Sequence, residues 1–77
     1  MENSIPMSTL SPGESGTVDR MTLSAAKCSR MQDIGLMSGT PVVCVGRSPL
    51  GDPAAFRIRG AVIALRKADC ARIFLRR

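Results

Sequence analysis

Few groups in this chain can do chemistry. They are three thiols (Cys28, Cys44, Cys70), four aspartates (Asp19, Asp33, Asp52, Asp69) and two glutamates, with no histidine, tyrosine or tryptophan. A nucleophilic cysteine needs a neighbouring base or cation to lower its pKa. Lys27 beside Cys28 is the one adjacent example, and the period of that segment turns Cys28 toward the core. The aspartates stand singly, so none is paired for general acid–base work. A three-thiolate metal centre would need the fold to gather all three cysteines, without the commonest partner ligand. An odd cysteine count with no Cys-x-x-Cys pair cannot close into a full set of internal disulfides. Reduced thiols packed as small core residues are therefore expected. No catalytic, cofactor-binding or metal-ligating residue is assigned, and the expected activity is that of a surface that binds, not a pocket that reacts.

The candidate surface is the stretch Ser48-Pro49-Leu50-Gly51-Asp52-Pro53, followed by Phe56-Arg57-Ile58-Arg59-Gly60 and Ala64-Leu65-Arg66. It joins two basic strands through a rigid loop. The chain carries 11 Lys and Arg against 6 Asp and Glu, a net charge of +5. The excess lies in its second part, where Arg57, Arg59, Arg66, Lys67, Arg72, Arg76 and Arg77 face one acid, Asp69, after position 52. Such a field attracts nucleic acid, anionic headgroups or an acidic protein without choosing among them. A chain of 77 residues makes one small domain, able to bury about 60% of its unfolded surface and too small for a deep pocket. The apolar runs Val42 to Val45 and Ala61 to Leu65 are far shorter than the roughly 20 residues of a membrane helix. The start lacks the basic and apolar regions of a secretory signal. Residues 1–6 are expected to form a flexible tail, residues 7–77 a single domain, and the protein to be cytoplasmic.

The elements that must position this surface are short. In Ser11-Pro12-Gly13-Glu14, Pro and Gly occupy the central positions of a type II turn. A half-buried strand over Thr17 to Thr22 should follow, with Val18 inward and Asp19 outward. From Ser24 the period changes: Ala25, Cys28, Met31 and Gln32 recur at helical steps. Ser24 suits the N-cap of a helix about ten residues long, and Gly35 suits the left-handed position that ends it. That placement sets Leu36 against Met31, the apolar pair of a Schellman motif. Thr40 to Arg47 reads as a strand with Pro41 at its start. Phe56 and Ile58 alternate with Arg57 and Arg59, which predicts two inward apolar residues and two guanidinium groups on one outer sheet face. Ala61 to Arg66 makes the next strand, Lys67 to Ala71 a single helical turn, and Ile73 to Arg76 the last strand. The expected fold is mainly β, a small five-stranded barrel with one inserted α-helix and a short helical turn before the last strand. Its expected core is Leu10, Val18, Met31, Leu36, Val43, Val45, Phe56, Ile58, Ile63, Leu65 and Ile73. Arg66 is expected to pair with Asp69 or cap carbonyls, and Arg76 and Arg77 to be solvated and mobile.

The order of these motifs resembles the FeoA family of small SH3-like barrels that accompany the FeoB ferrous-iron transporter in bacteria. The resemblance runs from Met7-Ser8-Thr9-Leu10-Ser11-Pro12-Gly13-Glu14 and Gly16 through Ser29-Arg30-Met31, Ile34-Gly35-Leu36 and Gly39-Thr40-Pro41-Val42. It continues through the Ser48 to Pro53 loop, Arg59-Gly60, Ala64-Leu65-Arg66, Ala68-Asp69-Cys70-Ala71 and Ile73. Met31, Ser38 and Cys70 depart from the usual pattern conservatively. The family includes barrels fused behind a winged helix in metal-dependent repressors, whereas this chain looks like the free-standing type.

The resemblance implies a non-catalytic accessory protein of ferrous iron uptake that docks on the cytoplasmic domain of a FeoB-like transporter. The expected contacts are Leu50, Gly51, Asp52 and Pro53 as a shape element, with Arg57 and Arg59 as charges. The alternative role for the loop is a tight turn whose Asp side chain caps local backbone N–H groups. The alternative function is a nucleic-acid-binding barrel using the basic face. Against it, single-strand binders stack bases on exposed aromatics, and here only Phe56 and Phe74 exist.

Overall fold

In the computed structural model, which describes residues 4–77, nine short elements follow one another: β1 (Ser4–Pro6), a 3₁₀ turn (Met7–Thr9), β2 (Ser15–Met21), α1 (Ala25–Asp33), β3 (Pro41–Arg47), β4 (Ala54–Ile58), β5 (Ala61–Leu65), α2 (Lys67–Cys70) and β6 (Ile73–Arg76). The strands form one antiparallel sheet in the order β1-β6-β2-β3-β4-β5. Register shifts at Val18/Arg20 in β2 and Cys44/Gly46 in β3 are the bulges that bend and twist so small a sheet around a core.

The local signals act as their chemistry dictates. Gly13 takes φ +93°, and the Glu14 N–H bonds the Ser11 carbonyl at 2.9 Å, closing the turn before β2. The Ser24 side chain accepts from the Lys27 N–H at 3.3 Å and caps α1. At the other end of α1 the Leu36 N–H reaches the Met31 carbonyl and the Gly35 N–H the Gln32 carbonyl, both at 2.9 Å. These are the two bonds of a Schellman motif. Met31 and Leu36 are both in the core.

Several expectations are corrected. The sheet has six strands, because residues 4–6, expected in a flexible tail, pair with β6 through Ser4↔Arg76, Ile5↔Leu75 and Pro6↔Phe74. Ile5 packs on the core and Ser4 Oγ donates to Asp19 at 3.0 Å, so this short stretch has both an apolar and a polar anchor. The remainder of the expected tail, residues 1–3, lies outside the described residues. On β3, Val42 and Cys44 are buried, while Val43 is half-buried and Val45 is exposed. The expected core had the opposite phase. An all-apolar run carries no alternation of its own, and the phase is imposed by β4, where Phe56 pairs with Cys44 and Ile58 with Val42. The core also holds Met7, Ala54, Cys70 and Leu75, and Ile63 packs against it half-buried. Cys28 is half-buried, its thiol near the Leu23 carbonyl at 3.6 Å. Phe74 is half-buried under the Arg20 guanidinium, 4.5 Å from the ring centre.

Candidate outer-face docking site

The sheet register assembles the site. Ser15 pairs with Val43, Val43 with Arg57 and Arg57 with Val62, one row of side chains crossing four strands on the outer face. Beside it Ala55 pairs with Ala64, and Val45 stands exposed at the bulge. Arg57 thus lies in a shallow field of valine and alanine, with its charge in solvent. Among the described residues it has no ion-pair partner. An exposed apolar surface around an unpaired guanidinium has the composition of an interface centre.

The β3–β4 loop joins the two strands that carry Val43 and Arg57, at the Arg47/Ala54 end of the pair. It is closed by Gly51 N–H to the Ser48 carbonyl at 2.8 Å and Ser48 N–H to the Pro53 carbonyl at 3.1 Å. Its tip, Leu50, is 93% exposed, the most exposed large apolar side chain of the described residues. Asp52 does not cap its own loop. Its Oδ1 accepts from the Lys67 N–H at 2.9 Å, placing a carboxylate at the start of α2 and tying the loop to the far end of β5. Pro53 is exposed, Gly51 half-buried.

Arg59 departs from the expected arrangement. It lies outside β4, with φ +50°, in the turn it forms with Gly60 at φ +82°. Arg57 and Arg59 therefore do not share a sheet face. The Arg59 Nε donates to the Gly35 carbonyl at 3.3 Å, and a Cβ built on Gly35 would come within 2.7 Å of Arg59 Cδ. Its cation rests at the C-terminus of α1, where the helix dipole favours it. Gly35, at φ +90°, meets both demands of that site.

Other charges are placed differently from expectation. Asp69 pairs with Lys27 at 2.9 Å and not with Arg66. Arg77 pairs with Glu14 at 3.0 Å and Arg76 with Asp19 at 3.7 Å, so the terminal guanidinium groups are anchored on β2 and the turn before it. The Ser11 N–H, 2.7 Å from Glu14 Oε1, holds that carboxyl below its usual range, with Arg77 adding to the effect. Arg47, which sequence reasoning passed over, sends its guanidinium inward to the carbonyls of Ser8, at 2.7 Å, and Leu10, fastening the 3₁₀ turn to β3. No local sequence signal separates it from the surface arginines.

The chemically capable groups are not gathered. Among the described residues no three of Cys, Asp and Glu cluster for a metal ion. Burial, reinforced by the Asp69 charge, pushes the Cys70 thiol up to about 12. A cleft of about 220 Å³ between the start of α1 and α2 is lined by Ser24, Lys27, Asp69 and Arg72 among others, and by none of the expected contact residues.

The fold is that of a small antiparallel β-domain with an exposed apolar outer face around Arg57. The FeoA domain model matches residues 5–77, and the chain belongs to the FeoA family. Among solved structures it is similar to a FeoA-like protein of Clostridium acetobutylicum, at 27% identity and TM-score 0.86, covering 97% of this chain and 87% of that one. FeoA of Stenotrophomonas maltophilia, a prokaryotic SH3-domain protein solved with zinc, matches at 25% identity and TM-score 0.79, over 92% and 88% of the two chains. A manganese-dependent transcriptional repressor matches at TM-score 0.88 and 16% identity, with the chain spanning 42% of its length, and shows the fold alone. No curated protein matches the chain. The expected mainly β, SH3-like fold is the one observed, with one strand added.

Proposed function

We propose that the protein is a non-catalytic accessory protein of bacterial ferrous iron uptake that docks on the cytoplasmic domain of a FeoB-like transporter and regulates it. Family membership implies the role in ferrous iron transport. Docking is supported above all by the outer-face row Val43, Arg57 and Val62, with Leu50 exposed in the β3–β4 loop. Leu50, Gly51 and Pro53 supply shape, Arg57 supplies charge, and Arg59 keeps its two terminal nitrogens available while Nε binds Gly35. Asp52 holds the loop in place through Lys67. None of the helices among the described residues is long and apolar enough to cross a membrane.

The nucleic-acid reading gains nothing from the structure. Phe56 is fully buried and Phe74 lies beneath Arg20, which leaves no open ring for base stacking. The test is affinity capture of the tagged protein from detergent-solubilised membranes of its own cells at about 150 mM salt, where long-range attraction is screened. Retention of the FeoB-like transporter, lost in the Leu50→Asp, Arg57→Glu variant, is expected. Retention of nucleic acid without the transporter would overturn the proposal.

A further inference from the structure

Among the described residues the strand order leaves β5 with β4 as its one neighbour. The β4–β5 register runs unbroken from Ile58↔Ala61 to Ala54↔Leu65, without a bulge. Arg59 and Gly60, both at positive φ, form a two-residue connection of the type I′ kind. In such a hairpin the residues flanking the turn exchange both hydrogen bonds, and alternate pairs do not. Ile58/Ala61, Phe56/Ile63 and Ala54/Leu65 are therefore the bonded pairs. Val62 and Ala64 must point their backbone N–H and C=O groups away from β4. Among the described residues, no turn, loop or side-chain hydrogen bond reaches either of them.

Folds usually blunt such an edge with a charge, a proline or a bulge. Between Ala61 and Leu65 there is none of these. The opposite edge of the sheet differs, since β1 is three residues long and ends in Pro6. The bare edge also has a charged surround. Arg57 stands opposite Val62 on the outer face, and Arg66 and Lys67 follow the strand directly. All three are exposed and lack an ion-pair partner among the described residues. The carboxylates nearest in sequence, Asp52 and Asp69, are already held by the Lys67 N–H and by Lys27.

We propose that the free edge of β5 takes up an extended, acidic segment of the docking partner as an added strand. Its backbone pairs with Val62 and Ala64, and its carboxylates meet Arg57, Arg66 and Lys67. This inference rests on the docking reading and names the chemistry of the segment recognised. Main-chain bonds would supply affinity and the flanking cations the choice of partner. A second copy of this chain fits less well. An antiparallel pairing of two β5 edges about Ile63 sets Arg66 and Lys67 of one copy beside Gly60 and Arg59 of the other, so like charges meet at both ends.

The test uses amide hydrogen exchange of the full chain with two blocked synthetic peptides, in which alternating valine and threonine are flanked by glutamates or by lysines. The glutamate peptide is expected to slow exchange at Val62 and Ala64 by about tenfold or more, and the lysine peptide to leave it unchanged. Unchanged exchange with both peptides would overturn the proposal. So would protection that grows with protein concentration and no peptide, which would assign the edge to a second copy. Val62→Pro removes one outward N–H and spares the bonds to β4, a substitution that edge positions accept. It should abolish the peptide effect, and Arg66→Glu, Lys67→Glu should weaken it with no change in backbone. Transporter capture separates the two claims. If wild type and Val62→Pro both retain the transporter, the edge proposal fails and docking stands. If wild type fails to retain it, the docking reading fails, and the peptide experiment still judges the edge.

Discussion

Each thiol and carboxylate here is governed by its cover and its nearest donor. Cys44 and Cys70 are sealed in the core, and Cys70 stays protonated through any neutral buffer because burial pushes it up to about 12. Cys28 is half-buried. Mass-resolved alkylation of the folded protein should therefore modify Cys28 first and leave Cys44 and Cys70 untouched until denaturant is added. Glu14 is held below its ordinary value of 4.5, first by the Ser11 N–H and then by Arg77. A depressed carboxyl stabilises the fold above its unfolded pKa, and that contribution is lost as pH falls through the folded value. Glu14→Gln should lower the melting temperature slightly at neutral pH. Melting curves of the two proteins should converge in acid, well below pH 4.5.

At the scale of elements, the end of α1 and the β4–β5 turn are one unit, because Gly35 admits Arg59. Gly35 and Gly39 both sit at φ +90°, yet a Cβ on Gly39 meets nothing within 4 Å. Gly39→Ala should cost the backbone term alone, about 1–2 kcal/mol. Gly35→Ala should cost more by chemical denaturation, and the excess should vanish in an Arg59→Ala background. The phase of β3 is equally testable. Val42→Thr buries an unpaired hydroxyl at about 1–3 kcal/mol, whereas Val45→Thr on the surface should stay within about 0.5 kcal/mol. These two cases also show what the sequence could tell. Caps, turns and the helix were readable because Ser24, Gly35 and Pro12-Gly13 act on neighbours a few residues away. The phase of Val42 to Val45, the inward turn of Arg47, the Lys27–Asp69 pair and the pairing of Ser4–Pro6 with β6 depend on partners distant in the chain. The candidate face was half legible. Arg57 followed from alternation, while Arg59 was lost to a turn whose backbone hand is set by the hairpin and not by local composition.

The whole molecule is a 30 × 29 × 23 Å body with net charge +5, and on the outer face of β4 and β5 exposed apolar side chains surround Arg57, which has no ion-pair partner among the described residues. Its terminal arginines are spent on Glu14 and Asp19. Among the described residues Arg57, Arg66 and Lys67, near β4, β5 and the start of α2, have no ion-pair partner, and neither do Arg30 on α1 and Arg72 after α2. In the proposed docking, the cations would orient an acidic partner before contact and the apolar row would set how long it stays. The central claim is that this face docks on a FeoB-like transporter. The most direct measurement is a calorimetric titration of the purified, detergent-solubilised transporter with the wild-type protein and with its Leu50→Asp, Arg57→Glu variant, at about 150 mM salt. Saturable binding by the wild type, weakened at least about tenfold in a variant that melts like the wild type, is the expected result, a change of about 1.4 kcal/mol. Equal affinity of the two proteins, or no binding by the wild type, would contradict it.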